Sequence, residues 1–176
     1  LQLLPGDLPA PDALHMLVLQ THSNPEAEVV FADEDSVIDG IRQNPIFKPD
    51  YGRDTLRSFN SIGRPMLVSK RVHAAVGGFR GSTPAELWAY CIDCASAAKQ
   101  VIHIARIGLT VIRDCGGSEI PCTDILKREF NSLYPGDGSG KKNHTNGCCF
   151  EGSVLGTLRM RYPRKREPSV GIVIAG

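Results

Sequence analysis

Asp33-Glu34-Asp35 is the densest group of chemistry-bearing side chains in the sequence. The triplet looks like a DxD metal motif, since oxygen ligands suit Mg²⁺ or Mn²⁺. The competing role is to hold the loop of residues 36–60 by pairing with Lys48 or Arg53, an exposed contact worth about 0 to 1 kcal/mol. Asp7 stands in the turn Pro5-Gly6-Asp7, where Asp is favoured by local hydrogen bonding. Glu86 follows Thr83 by three residues, the spacing of a helix capping box, and an acidic side chain there complements the helix dipole. His103 lies among apolar β-rich residues and reads as a structural hydrogen-bonder. Cys91 and Cys94 fall in a helical pattern, Cys115 and Cys122 flank a Gly-rich turn, and Cys148 and Cys149 are adjacent. A zinc site of Cys115, Cys122, His144 and Cys148 competes with plain reduced thiols in a cytoplasmic protein, because the spacings match no pair of tight CxxC knuckles. The stretch Gly136 to Lys142 imitates a phosphate loop but has Pro135 at the first Gly position and no strand leading into it. Asn143-His144-Thr145 is a formal glycosylation acceptor, meaningful only in a secreted eukaryotic protein.

The elements that must position these residues follow from periodicity. Leu3-Leu4 ends a strand at Pro5-Gly6. Pro11 opens a helix with Leu14, Leu17 and Val18 on one face, and Asn24-Pro25 closes it. Val29-Val30-Phe31 reads as a short buried strand. Asp39 to Asn60, rich in Pro, Gly, Asp and Arg, reads as a long loop with little regular structure. Met66 to Ser69 predicts a strand and Arg71 to Val76 a short helix, closed by Gly77-Gly78 as a C-cap needing positive φ. Ala85 to Ala98 predicts a helix with Leu87, Cys91, Cys94, Ala95 and Ala98 on one face. Val101 to Ile104 and Ile107 to Ile112 are two short β-rich runs. A helix from Asp124 to Leu133, a flexible loop over 135–147, and strands at Leu155 to Tyr162 and Val170 to Ala175 complete the pattern. The basic stretch Pro163 to Pro168, with Arg159, Arg161, Arg164, Lys165 and Arg166 nearby, reads as a solvated linker. The alternation of α and β segments predicts an α/β fold.

A chain of 176 residues supports one ordinary domain. A net charge of +1 gives no field that would favour nucleic acid. No apolar run approaches the roughly 20 residues of a membrane span. The chain starts at Leu1 and stops inside an apolar run at Gly176, which reads as a piece cut from something longer.

Several segments, in order, resemble family 2 glycosyltransferases of the GT-A fold. Ala10-Pro11-Asp12-Ala13-Leu14 looks like the helix start after the family's Asp-rich metal motif. Glu28 to Asp35 is similar to "DLVYSDED", and Phe47-Lys48-Pro49-Asp50-Tyr51 with Asp54, Leu56 and Ser58 to "FKPDW-SPDLLLS". Asn60, Ile62 and Gly63 match "NYIG", Val76 to Arg80 matches "VGGFR", and His103 to Arg106 resembles "HIPRVLYHWR". The resemblance spans roughly residues 3 to 113, and Arg159 to Ile174 looks like the lead-in and first strand of a second such unit.

The resemblance implies a partial GT-A fold, a Rossmann-like mixed sheet flanked by helices. It divides the chain into residues 1–115 as the C-terminal half of one unit, 116–162 as an extension, and 163–176 as linker and start of the next. It implies a nucleotide-sugar donor, a glycan acceptor, a neighbouring glycosyltransferase unit as partner, and a Mg²⁺ or Mn²⁺ that offsets charge on the leaving diphosphate. Asp7 would then contact the metal or diphosphate, and Glu86 would supply the carboxylate near the acceptor. Asp33, Asp35, Lys48, Asp50 and Asn60 would be acceptor-side or loop-bracing residues, and Gly77 and Gly78 would begin the loop over the acceptor. Three positions depart from the family pattern: Leu4 and Pro84 replace carboxylates, and Thr110 replaces a metal-site His. The resemblance therefore implies a glycosyltransferase parent, with a unit inactive by itself. The alternatives are a non-catalytic module that binds carbohydrate or braces an active neighbour, and a zinc-dependent interaction domain.

Overall fold

The computed structural model describes residues 3, 6–79, 81, 83–112, 149–152 and 158–161, the last two ranges as backbone. It is an α/β arrangement around strand β2 (Ala27–Ile38). The first strand, β1 (Asp7–Pro9), leads into helix α1 (Ala13–Ser23), which Asn24 and Pro25 end. After β2 come β3 (Ile41–Ile46), α2 (Arg53–Ser58), β4 (Met66–Val68), α3 (Lys70–Ala75), α4 (Pro84–Ala97) and β5 (Gln100–Ile112). β5 pairs parallel with β2 along nearly its whole length, and β1 pairs antiparallel on the outer side of β5. A separate antiparallel pair joins β6 (Cys149–Gly152) to β7 (Leu158–Arg161). The expected helix at Asp124 to Leu133, the linker and the strand Val170 to Ala175 lie outside the described residues. No helix among the described residues is long and apolar enough to cross a membrane.

β2 is buried on both faces because its side chains alternate between two cores. Val29 and Phe31 point into a cluster with Leu56, Met66, Val72, Trp88 and Cys91, under α2, α3 and α4. Val30 and Ala32 point the other way, into a cluster with Met16, Leu17 and Ile104 under α1. Trp88 is 2% exposed, and its indole N–H donates to the Leu56 carbonyl at 2.5 Å, so the largest core side chain buries no unmet donor.

Three expectations change. β2 runs twelve residues rather than three. The presumed irregular loop from Asp39 to Asn60 contains β3 and α2. Asp39 and Gly40 both take positive φ, 53° and 77°, which turns β2 tightly into β3 with Ile38 opposite Ile41. The two β-rich runs near the end are one strand, β5. Its register against β2 shifts where Ala105, Arg106 and then Gly108 are accommodated between Ile104 and Leu109. A Cβ at Gly108 would stand 3.1 Å from Pro65 Cγ and 3.2 Å from Ala32 Cβ, so glycine allows the strands this approach.

The outer edge of β2 is shared. β4 pairs with Val29 to Phe31, and β3 takes over at Glu34. Between them Ala32 would present an unpaired carbonyl. Lys48 fills the gap: its ammonium donates to the Ala32 carbonyl at 2.8 Å, to Ile62 at 2.8 Å and to Arg64 at 2.5 Å. Glu34 Oε2 lies 3.3 Å from the same nitrogen. Burial pushes the ammonium below the usual lysine range, and Glu34 works against that shift. Lys48→Met should leave three carbonyls and a half-buried carboxylate without a donor. The expected destabilisation is about 3–5 kcal/mol, measurable by urea unfolding.

Glu28 staples the start of β2 to two helices. Its carboxylate pairs with both Arg71 nitrogens of α3 and accepts the Lys99 N–H at 2.8 Å, while Arg71 also donates to the Ala97 carbonyl at the end of α4. These contacts, Arg71 first and the Lys99 amide second, pull the Glu28 carboxyl from 4.5 to about 2. The folded value lies below the unfolded one. The stabilisation is therefore full above pH 4.5 and lost as pH falls towards 2. Melting temperatures of the protein and of Glu28→Gln should differ at neutral pH and converge as the pH approaches 2.

Candidate functional site

The site grows from the carboxyl half of β2, where hydrophobic residues give way to Asp33, Glu34 and Asp35. Asp33 is 2% exposed and shares the face of Phe31. One oxygen, Oδ1, accepts both the Lys48 backbone N–H at 2.9 Å and a hydrogen bond with His103 Nε2 at 2.8 Å. The His103 ring stacks on Phe31 at 4.9 Å, and its Nδ1 lies 3.2 Å from Asp50 Oδ1. Both ring nitrogens thus face carboxylate oxygen, and both donate only when the ring carries two protons. The Asp50 carboxylate is almost fully solvated while the imidazole is 5% exposed. The chain Asp33–His103–Asp50 links the sheet interior to the surface and pins residues 47–50 against β5.

Asp35 takes its partner from β3: Arg42 Nε and Nη2 both lie 2.8 Å from Oδ2. The other oxygen, Oδ1, is buried with no hydrogen-bond partner. The triplet therefore does brace the following segment, through Lys48 and through Arg42, a residue with no role in the sequence reading. Asn60 Oδ1 accepts the Gly63 N–H at 3.0 Å, and its amide also contacts the Cys91 thiol. Burial pushes the Cys91 and Cys94 thiols up to about 12 and about 11, which marks both as inert core groups.

Asp7 lies in β1 with a 2% exposed side chain, and Arg64 Nη1 is 2.5 Å from its Oδ2. Arg64 is remote in sequence, and nothing in its neighbourhood identifies it as a partner. The same residue offers its carbonyl to Lys48, so Asp7 and the β2 junction are joined through one residue. Thr110, where the family pattern has a His, is 8% exposed in β5 opposite Asp35. No group of three or more His, Cys, Asp or Glu among the described residues could hold a metal ion. With Asp7 already paired to a guanidinium, the described residues do not by themselves fit a divalent cation.

Glu86 closes a full capping box. Thr83 Oγ1 accepts the Glu86 N–H at 3.2 Å, and Glu86 Oε2 accepts the Thr83 N–H at 2.9 Å. Pro84, which replaces a family carboxylate, is the first residue of α4, where a missing N–H costs nothing. Gly77 and Gly78, at φ 82° and 78°, close α3: their N–H groups donate to the carbonyls of Ala74 and His73. Glu86→Gln keeps an oxygen acceptor for the Thr83 amide. It should change stability little, whereas Thr83→Ala should cost about 1 kcal/mol, both read by urea unfolding.

Taken together, the described residues form an α/β sheet with a carboxylate-rich strand end, held by His103, Lys48 and Arg42. No family model matches it. It is 36% identical to the O-antigen biosynthesis protein RfbC of Myxococcus xanthus over 96% of this chain and 13% of that protein. It is also 32% identical, over 106 residues, to the uncharacterised protein y4gI of Sinorhizobium fredii, covering 57% of this chain and 12% of that protein. The chain thus spans only 12–13% of the length of these curated relatives.

Proposed function

We propose that this chain is the acceptor-side half of a family 2 glycosyltransferase unit of GT-A type, in a larger protein that builds a surface polysaccharide. The observation that carries this reading is the 36% identity to a protein named for O-antigen biosynthesis, spread over 96% of the chain. The ordered family-like segments from Ala10 to Arg106 support it. So does the mixed sheet, whose parallel β2–β5 pair carries the site residues.

On this reading the parent moves a sugar from a nucleotide-sugar to a glycan hydroxyl, and this unit supplies scaffold and acceptor contacts. Asp33, His103 and Asp50 fix the segment 47–50, and Lys48 fixes it to the sheet edge. Glu86 serves as cap rather than base, and Asp7 as the partner of Arg64 rather than as a metal ligand. A Mg²⁺ or Mn²⁺ would draw its ligands from outside the described residues. The Arg159 to Ile174 stretch would lead into a following unit of the same kind.

The test uses the native full-length polypeptide, incubated with UDP-, GDP- and dTDP-sugars, Mn²⁺ and polysaccharide acceptor. Labelled sugar should pass to the acceptor, and Glu86→Gln should lower the rate less than about threefold, since general-base removal is worth roughly 10²–10⁴-fold. Absence of transfer from every donor overturns the glycosyltransferase reading. A hundredfold loss in Glu86→Gln returns the base to this unit.

A further inference from the structure

Beside the sheet edge, away from the Asp33–His103 chain, a cleft of about 460 Å³ opens between β4, α3 and α4. That volume is at the lower end of the roughly 300–1,000 Å³ typical of small-ligand sites. Met66 and Val68 of β4 form its apolar floor with Phe79 and Tyr90, and Lys70 and His73 of α3 line it on the polar side. Leu3 adds a further apolar wall. None of the lining residues is acidic, so an anion entering meets no like charge there.

The aromatic pair is ordered. Phe79 meets Tyr90 edge-on, with ring centres 5.2 Å apart and planes at 60°. The Tyr90 hydroxyl lies 2.7 Å from His73 Nδ1, which fixes the imidazole. Burial, and then the Cys94 thiol, raise the Tyr90 phenol, which keeps it a neutral hydroxyl. The His73 ring lies against the α3 C-cap: a Cβ at Gly78 would stand 3.3 Å from His73 Nε2. Gly78, in the glycine pair that begins the presumed acceptor loop, therefore shapes this wall of the cleft. Lys70 is exposed and adds a mobile point charge with three donors.

Apolar ring surfaces beside hydroxyl, imidazole and ammonium donors, with no carboxylate, match one ligand chemistry. We infer that this cleft binds a sugar ring bearing an anionic substituent, as the acidic residue of the glycan acceptor. The ring's C–H face would lie on Phe79 and Met66, its hydroxyls would meet His73 and Tyr90, and its charge would meet Lys70. The inference rests on the glycan-acceptor reading above and adds the charge of the acceptor to it.

Titration calorimetry of the chain with glucuronate, glucose 6-phosphate and glucose, each as a methyl glycoside, tests it and separates the two anionic sources. At least one anionic sugar should bind roughly tenfold more tightly than glucose, the size of one charge-assisted contact. Lys70→Met should erase that preference without changing the melting temperature, and Lys70→Arg should keep it. Equal affinity for anionic and neutral sugars overturns the inference and leaves the glycan reading standing. A preference that survives Lys70→Met also overturns it, because the anion is then held elsewhere. Failure of all three sugars to bind overturns both this inference and the acceptor role of the unit.

Discussion

The fold depends on how one strand edge passes from one partner to another. β2 pairs with β4 at its start and β3 at its end, and between them the Ala32 N–H donates to Pro65, which has no N–H to return to the Ala32 carbonyl. An unmet buried carbonyl costs about 1–3 kcal/mol. Lys48 resolves it with a side chain, the only kind of donor that can reach three carbonyls at once. The desolvation of that ammonium is itself unfavourable. It is tolerated because Glu34 stands beside it and because one buried cation replaces three separate defects. The same residue's backbone N–H reaches Asp33, so Lys48 also sets where the site begins.

That solution organises the charges around it. Each carboxylate at the end of β2 and in β1 has its own cation or imidazole: Asp33 with His103, Glu34 with Lys48, Asp35 with Arg42, Asp7 with Arg64. Pairing of this kind offsets the desolvation of four acids at the sheet. Each of these pairings engages one oxygen of its carboxylate, and the other oxygen of Asp35, Oδ1, is buried without a hydrogen-bond partner. Catalytic electrostatics and structural electrostatics compete for the same oxygens, and at Asp7 the guanidinium has the oxygen.

Local chemistry was legible in the sequence where it acts over a few residues. The α4 capping box from Thr83 to Glu86, the α3 C-cap at Gly77-Gly78 and the break at Asn24-Pro25 each depend on side chains within a turn of one another. Asp39-Gly40 was equally legible as a hairpin turn between Ile38 and Ile41. The Pro, Gly, Asp and Arg of the surrounding stretch favour a loop reading there and mask the turn. The triplet at Asp33 to Asp35 hides the length of β2 for a different reason: acids depress strand propensity, and burial with paired partners overrides it. Arg64 and Arg42 could not be found, since their roles exist only after the sheet brings 57 and 7 residues of separation to contact distance.

The departures from the family pattern become intelligible at this level. Pro84 opens α4, Glu86 caps it, and Thr110 packs in β5. Pro84 and Thr110, two of the positions that depart from the pattern, serve the architecture, as does the retained carboxylate of Glu86. What stays open to a ligand is different in kind: a cleft with aromatic walls, a fixed imidazole and an exposed lysine, with Gly78 against the imidazole. Recognition asks only for such a surface, while catalysis asks for groups left unpaired at the reacting atoms. Among the described residues, the carboxylates at the end of β2 and in β1 are paired while the cleft beside α3 keeps its donors facing open space, an arrangement that suits recognition better than catalysis.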